Sequence, residues 1–209
     1  MKKYKAVIYD LDGTLVNTLD MNMYPLLRII KEENGEDWEL KDVLKFYAYP
    51  GMKTIETLGF KNPEETYKRW VKYVNEYEGG ATIYDGFEEV LEIFDKAGII
   101  QAVVSSKKRA QYEIDIVSKG IDKYIKTAVL EEDTIRHKPD PEPMNECLKR
   151  LGLSADEVIY IGDTHADCKA SEASGMDFGY ARWGSVTDDG IENPEYVFEK
   201  PLDLLSIIE

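Results

Sequence analysis

Apolar residues in this chain follow two patterns. Short runs, unbroken except at Gln101, occur at Ala6-Val7-Ile8-Tyr9, at 99–104, at 128–130 and at 158–161. Each reads as a strand, and Ala6 to Tyr9, too short for a helix and without polar alternation, predicts one buried on both faces. Between the runs the apolar positions recur at helical spacing. Phe87, Val90, Leu91 and Phe94 predict a helix over 87–97 that stops at Gly98. A further helix runs to Gly120, another opens at Asp140-Pro141 and ends near Gly152, and an Ala/Ser-rich helix stops at Gly175. A short strand and a final helix are expected over 196–209. Strands alternating with helices of this length predict a parallel sheet with helices on both faces.

Residues 17–81 depart from that alternation and read almost wholly as helix. Met23, Leu26, Leu27 and Ile30 share one helical face, and Gly35 is the expected stop. Asn62-Pro63-Glu64-Glu65 combines a capping side chain, a first-turn proline and acids at the positive end of the helix dipole. Tyr67, Trp70, Val71, Val74 and Tyr77 follow as one apolar face, with Glu78-Gly79-Gly80 as the expected end. The organisation predicted is a catalytic core made of 1–16 and 82–209, interrupted by a helical domain over 17–81.

Composition limits the functional class. With 209 residues, 43% of them hydrophobic, the chain can bury a core as one domain carrying an insertion. A formal net charge of -15 repels nucleic acid and anionic membranes, so neither is expected as a partner. A small anion remains admissible if the site carries its own positive charge. Cys147 and Cys168 show no metal-ligand spacing and read as packed thiols in a reducing compartment. Met1-Lys2-Lys3 runs straight into the first strand without a signal-peptide pattern, and no apolar stretch reaches membrane-spanning length. The expectation is a cytoplasmic protein, monomeric or homodimeric.

The chemistry gathers at the ends of the runs. The first run ends in Asp10-Leu11-Asp12-Gly13-Thr14. The second ends in Ser105-Ser106-Lys107, Lys138 follows the third, and the fourth ends in Gly162-Asp163, with Asp167 four residues on. A parallel sheet brings strand C-termini to one edge, where ligands bind. Asp10, Asp12 and Asp163 together favour a hard divalent cation such as magnesium, which completes its shell with water and phosphate oxygens. Ser105, with neighbouring Ser106, can donate to a phosphate oxygen, and Lys138 supplies a point charge. With that charge present, Asp10 stays ionised and can attack phosphorus in line. Asp12 can then protonate the leaving alcohol and later accept a proton from water.

These segments, in this order across nearly the whole chain, resemble the motifs of the haloacid dehalogenase superfamily. Within it the chain looks most like the phosphoglycolate phosphatase and sugar-phosphatase group. The resemblance implies a Rossmann-like three-layer α/β/α core with an inserted all-helical cap. It implies Asp10 as the nucleophile forming an aspartyl-phosphate, Asp12 as general acid/base, Ser105 as the phosphate-binding hydroxyl and Lys138 as the neutralising lysine. It implies Asp10, Asp163 and the Asp12 main-chain carbonyl as magnesium ligands, with Asp167 supporting the loop. In similar proteins a cap loop closes over the site, which makes Arg28, Tyr49 and Lys53 candidates for substrate selection. Tyr84-Asp85-Gly86 stands where many relatives carry a proline-containing turn, and His165 stands where small polar residues are usual.

The expected activity is magnesium-dependent hydrolysis of a small phosphorylated metabolite. The competing readings are a phosphosugar mutase on the same scaffold, a dehalogenase, and an idle binding or regulatory protein. Thr14 leans towards hydrolysis by resemblance, and Asp12 with Asp163 disfavours a dehalogenase.

Overall fold

The apolar run Ala6–Tyr9 is fully buried because it has a parallel partner on each side, Ile100–Val104 and Val158–Gly162. The computed structural model describes residues 4–47 and 49–208, so the leader reading of residues 1–3 lies outside it. In chain order the elements are β1 (Ala6–Tyr9), β2 (Val16–Asn17), α1 (Leu19–Asn34), α2 (Leu40–Val43), α3 (Gly51–Thr57) and α4 (Pro63–Asn75). There follow β3 (Thr82–Ile83), α5 (Phe87–Lys96), β4 (Ile100–Val104), α6 (Arg109–Asp115), β5 (Thr127–Val129) and α7 (Glu142–Leu151). The chain continues through β6 (Val158–Gly162), α8 (His165–Ser174), β7 (Asp177–Ala181) and β8 (Tyr196–Phe198), then a 3-10 helix at Pro201–Ile207. Two compact units result, Met1–Asn17 with Ile83–Glu209, and Thr18–Thr82.

In the first unit six strands lie in the order β5-β4-β1-β6-β7-β8, each pairing parallel. Side chains of β1 alternate between two helical layers. Ala6 and Ile8 join a core with Met144, Cys147, Cys168 and Ala170 from α7 and α8. On the other face the Tyr9 ring meets Phe87 of α5 edge-on, with centroids 5.3 Å apart. The Tyr9 hydroxyl donates to Gln101 Oε1 at 3.0 Å, and Gln101 Nε2 donates to the Leu91 carbonyl at 2.9 Å. The sheet is therefore covered on both faces, as a fully apolar parallel strand requires. β1 is also the switch point. From it the chain first builds outward through β4 and β5, then crosses to build β6, β7 and β8 on the other side.

The second unit is helical. The Trp70 indole N–H donates to the Asn22 carbonyl at 3.1 Å, and Tyr73 donates to Glu32 at 3.1 Å, tying α4 to α1. Arg69 pairs with Glu33 across the same two helices. Gly35 ends α1 in the left-handed conformation, as expected of a C-terminal glycine.

Four local expectations need correction or refinement. α4 ends at Asn75, before Glu78-Gly79-Gly80, and Tyr77 instead stacks on Tyr24 with centroids 6.2 Å apart. The Asn62 side chain makes no capping hydrogen bond. The expected final helix is present but is of the tighter 3-10 type. β7 was not anticipated at all, and it carries the sheet outward to β8.

Candidate active site

The hydrogen-bond ladder fixes where the first acid points. Beyond the last residue of β1, the Asp10 N–H still donates to the Ile161 carbonyl at 2.9 Å. Ser105 stands in the same relation to β4, its N–H donating to the Val129 carbonyl at 3.0 Å. Asp163 directly follows β6. Three adjacent strands, with β1 in the middle, thus deliver Asp10, Ser105 and Asp163 to one edge at the switch point.

Close packing of the first loop holds Asp163. Gly13 has a φ of 80°, and a Cβ built on it would lie 2.2 Å from Asp163 Oδ2. Only glycine fits there, by backbone conformation and by space. Thr14 Oγ1 donates to Asp163 Oδ1 at 2.8 Å. The loop after β7 presses on the same turn. Trp183 Nε1 donates to the Thr14 carbonyl at 3.0 Å, and Gly184 lies so close that an added Cβ would reach the Gly13 carbonyl oxygen. Tyr84 faces this region as well. Burial raises its phenol, and the carboxylates of Asp163 and Asp12 raise it further.

Lys138 joins the acids. Its ammonium, nearly buried, lies 3.0 Å from Asp10 Oδ2 and 2.6 Å from Asp167 Oδ1, and it donates to the Tyr160 hydroxyl at 3.1 Å. Burial alone would lower the lysine, but the facing carboxylates of Asp10 and Asp167 outweigh it and raise it. Burial pushes Asp10 up to about 6 against the pull of Lys138, with the charges of Asp167 and Asp12 adding to the rise. Asp163 is pushed well above the usual carboxylate range, by burial first and then by Asp167 and Asp10. Such crowding of buried acids calls for a cation.

The donor set fits one. Asp10, Asp163 and Asp167 each present an oxygen within 4.8 Å of the others'. Asp10 Oδ1 is buried without a hydrogen-bond partner, an oxygen aimed at something absent from the protein itself. Asp167 is the least suited of the three. Its Oδ1 is taken by Lys138 and Tyr160, and its Oδ2 accepts from the Thr164 N–H at 3.0 Å and the Thr164 hydroxyl at 2.6 Å. That capping box opens α8, so Asp167 anchors the loop and the lysine together. Asp10 and Asp163 are the side chains left to hold a hard divalent ion.

Asp12 points elsewhere. Its Oδ1 lies 3.0 Å from the ammonium of Lys107, which also pairs with buried Asp115. Ser105 Oγ accepts from the Lys107 N–H at 3.3 Å, and Ser106 is exposed beside it. His165 Nδ1 lies 2.7 Å from the Gly190 carbonyl, engaged by its own loop. In the helical unit Arg28 pairs with Glu32 and lies 3.7 Å from the centre of the Tyr73 ring, while Tyr49 and Lys53 are exposed. The sequence reading missed Lys107, Asp115, Tyr160 and Trp183. Only Lys107 carried a signal, its nearness to Ser105.

Comparison with known proteins decides the family. The haloacid dehalogenase-like hydrolase family matches residues 7–181. The chain belongs to that family. It is 30% identical over 210 residues to "Pyrophosphatase PpaX" of Bacillus velezensis, covering 99% of this chain and 97% of that protein. It is 28% identical to the "Pyrophosphatase PpaX" of Anoxybacillus flavithermus, over 97% of this chain and 96% of that one. Among solved structures, a predicted phosphoglycolate phosphatase from Haemophilus somnus superposes with a TM-score of 0.90 at 20% identity, covering 100% of both chains. A haloacid dehalogenase-like family hydrolase from Streptococcus pneumoniae gives 0.86 at 19% identity, again over 100% of both chains. At these identities the superpositions establish the Rossmann-like haloacid dehalogenase fold. Membership makes the chain an enzyme of the hydrolase class. Among the described residues no helix is long and apolar enough to cross a membrane.

Proposed function

We propose that this enzyme is a magnesium-dependent phosphatase that hydrolyses a small phosphomonoester through a covalent phosphate on Asp10. The observation that carries the reading is the environment of Asp10. One oxygen meets Lys138 at 3.0 Å, while the other is buried and unpartnered among acids. A carboxylate so placed is built to be shared between a cation and an electrophile.

Asp10 and Asp163 would hold the magnesium ion, with the Asp12 main-chain carbonyl as the third protein ligand implied by the family. When bound, the ion neutralises charge on the phosphoryl oxygens. The remaining steps belong to side chains. Lys138 and the Ser105 hydroxyl hold the phosphate oxygens. An Asp10 carboxylate oxygen bonds to phosphorus in line as the bond to the leaving oxygen breaks. Asp12 gives that oxygen its proton. Asp12, now ionised, takes a proton from water as the water oxygen attacks phosphorus. The Asp10–phosphate bond then breaks, inorganic phosphate leaves, and Asp10 is restored. Exclusion of bulk water during this cycle is assigned to the helical unit as a cap over 17–81, with Arg28, Tyr49 and Lys53 as selecting residues.

The PpaX relatives favour a second substrate reading, inorganic pyrophosphate, which offers the same phosphoryl group with a phosphate leaving group. The decisive experiment measures free phosphate released by purified protein with magnesium, against pyrophosphate, phosphoglycolate and a panel of sugar phosphates. Wild type should release phosphate and Asp10→Asn should not. Formation of a sugar 6-phosphate from its 1-phosphate without free phosphate would replace hydrolysis by mutase chemistry.

A further inference from the structure

The reaction above leaves one buried cation at the strand ends without a task. Lys107 follows β4, its side chain is 6% exposed, and its ammonium bridges two carboxylates, Asp12 Oδ1 at 3.0 Å and Asp115. Asp115 closes α6 and is itself 2% exposed. Gln111 Nε2, one turn back, donates to Asp115 Oδ1 at 3.0 Å. A chain of polar contacts thus runs from α6 through Asp115 and Lys107 to Asp12. It parallels the other buried chain, Thr164 to Asp167 to Lys138 to Asp10. In each, a lysine anchored at its inner end by a buried aspartate presents its charge to one of the two acids after β1.

We propose that Lys107, held by Asp115, is a positioning residue that fixes the Asp12 side chain, whose carboxyl gives its proton to the leaving group and is left ionised. The inference rests on the acid/base role of Asp12 given above. Asp12 follows a buried strand by three positions and directly precedes the Gly13 turn, with 32% of its side chain exposed. A carboxylate there has rotamers to choose among, and general acid catalysis needs one of them. A lysine stem alone would not restrict it, since the stem is flexible. Anchored by Asp115 as well, the ammonium becomes a fixed point. A purely structural purpose is a poor explanation, because burying Asp115 and the lysine costs about as much as their attraction returns.

The test compares kcat/KM for p-nitrophenyl phosphate, whose leaving group needs little protonation, with that for phenyl phosphate, whose leaving group needs more. Lys107→Met should lose about 100-fold on phenyl phosphate, the lower range of a general acid's contribution, and far less on p-nitrophenyl phosphate. Lys107→Arg should recover part of the loss. Equal losses on both esters, or a rise in KM alone, would overturn the inference by making Lys107 a structural or phosphate-binding residue. Asp12→Asn is measured alongside. If it shows the unequal loss and Lys107→Met does not, the inference falls and the acid/base reading stands. If Asp12→Asn keeps wild-type rates on both esters, the acid/base reading falls and takes the inference with it. Should Lys107→Met fail to fold, Asp115→Asn, which releases the inner end of the lysine, is read against the same outcomes.

Discussion

Asp167 Oδ1 lies 2.6 Å from Lys138 Nζ, nearer than Asp10 Oδ2 at 3.0 Å. The carboxylate that anchors the loop before α8 therefore holds the lysine more closely than the one proposed as nucleophile. This orders the roles at the site. Asp167 sets the position of the charge, and in the proposed reaction Asp10 shares it with the incoming phosphate. Asp167→Asn keeps the shape but loses the charge-assisted bond, which should cost about 2–3 kcal/mol in urea unfolding. kcat should fall as Lys138 loses its anchor. A double-mutant cycle with Lys138→Met should give a coupling of about 1–3 kcal/mol. Additive effects would mean the two residues act separately.

Gly13 is the second point at which the site admits no change. Alanine there would put its Cβ 2.2 Å from Asp163 Oδ2, at a φ of 80° that costs a non-glycine residue about 1–2 kcal/mol. The clash displaces a carboxylate assigned to the metal. Gly13→Ala should therefore raise the magnesium concentration giving half-maximal activity, beyond any loss of stability. Wild-type magnesium dependence in a folded variant would show that Asp163 can move without consequence.

Proton binding and metal binding compete at these acids. In the metal-free protein Asp10 holds its proton up to about pH 6, whereas an unfolded Asp releases it near pH 4. The folded state therefore binds more protons across that window. The stabilisation is complete below about pH 4 and is lost as pH rises through about 6. Asp10 alone accounts for on the order of 3 kcal/mol, and Asp163 shifts in the same direction. Metal-free protein should lose thermal stability between pH 5 and 7.5 more steeply than Asp10→Asn does. Magnesium should raise Tm more at pH 7.5 than at pH 5, because at pH 5 it must displace protons. A magnesium effect independent of pH would separate the ion from Asp10.

The parts of this fold legible in the sequence are those carried by contiguous residues. Ala6–Tyr9 could be read as a buried strand because its four residues are all apolar, and the Asp10 and Asp163 positions followed from the strands before them. β7 escaped because it opens on Asp177 and contains Gly179, both poor strand signals. Gly179 stands where an added Cβ would strike Ile161 and Phe198, a reason visible only once neighbouring strands are placed. Lys107 escaped for the same kind of reason. Its partners are Asp12, far back in the chain, and Asp115 on the following helix, and the run Lys107-Lys108-Arg109 after a strand reads as surface. The end of α4 was misjudged because Tyr77 continues the apolar spacing, although its ring packs on Tyr24 beyond the helix.

Tyr160 shows how far the lysine site reaches into the core. It sits in β6 with no exposure, and its hydroxyl lies 3.0 Å from both the Val104 carbonyl and Asp167 Oδ1 while accepting from Lys138 at 3.1 Å. Burial raises this phenol well above its ordinary range, with Asp167 and Asp10 adding to the effect, so the group stays neutral. A neutral hydroxyl has one hydrogen to give and lone pairs to accept with. It can therefore tie the strand carbonyl or Asp167 to the lysine without adding a charge that would compete with Asp10. Tyr160→Phe keeps the ring in its packing and removes only those bonds. Stability should fall by about 1 kcal/mol, since the strand carbonyl and the lysine each lose a partner. The rate should fall further than stability does, by about tenfold in kcat with little change in KM, because Lys138 then has a wider range of positions relative to Asp10. Urea unfolding read beside steady-state phosphate release separates the two effects. A variant that loses stability at wild-type kcat would show that Asp167 alone suffices to aim the lysine.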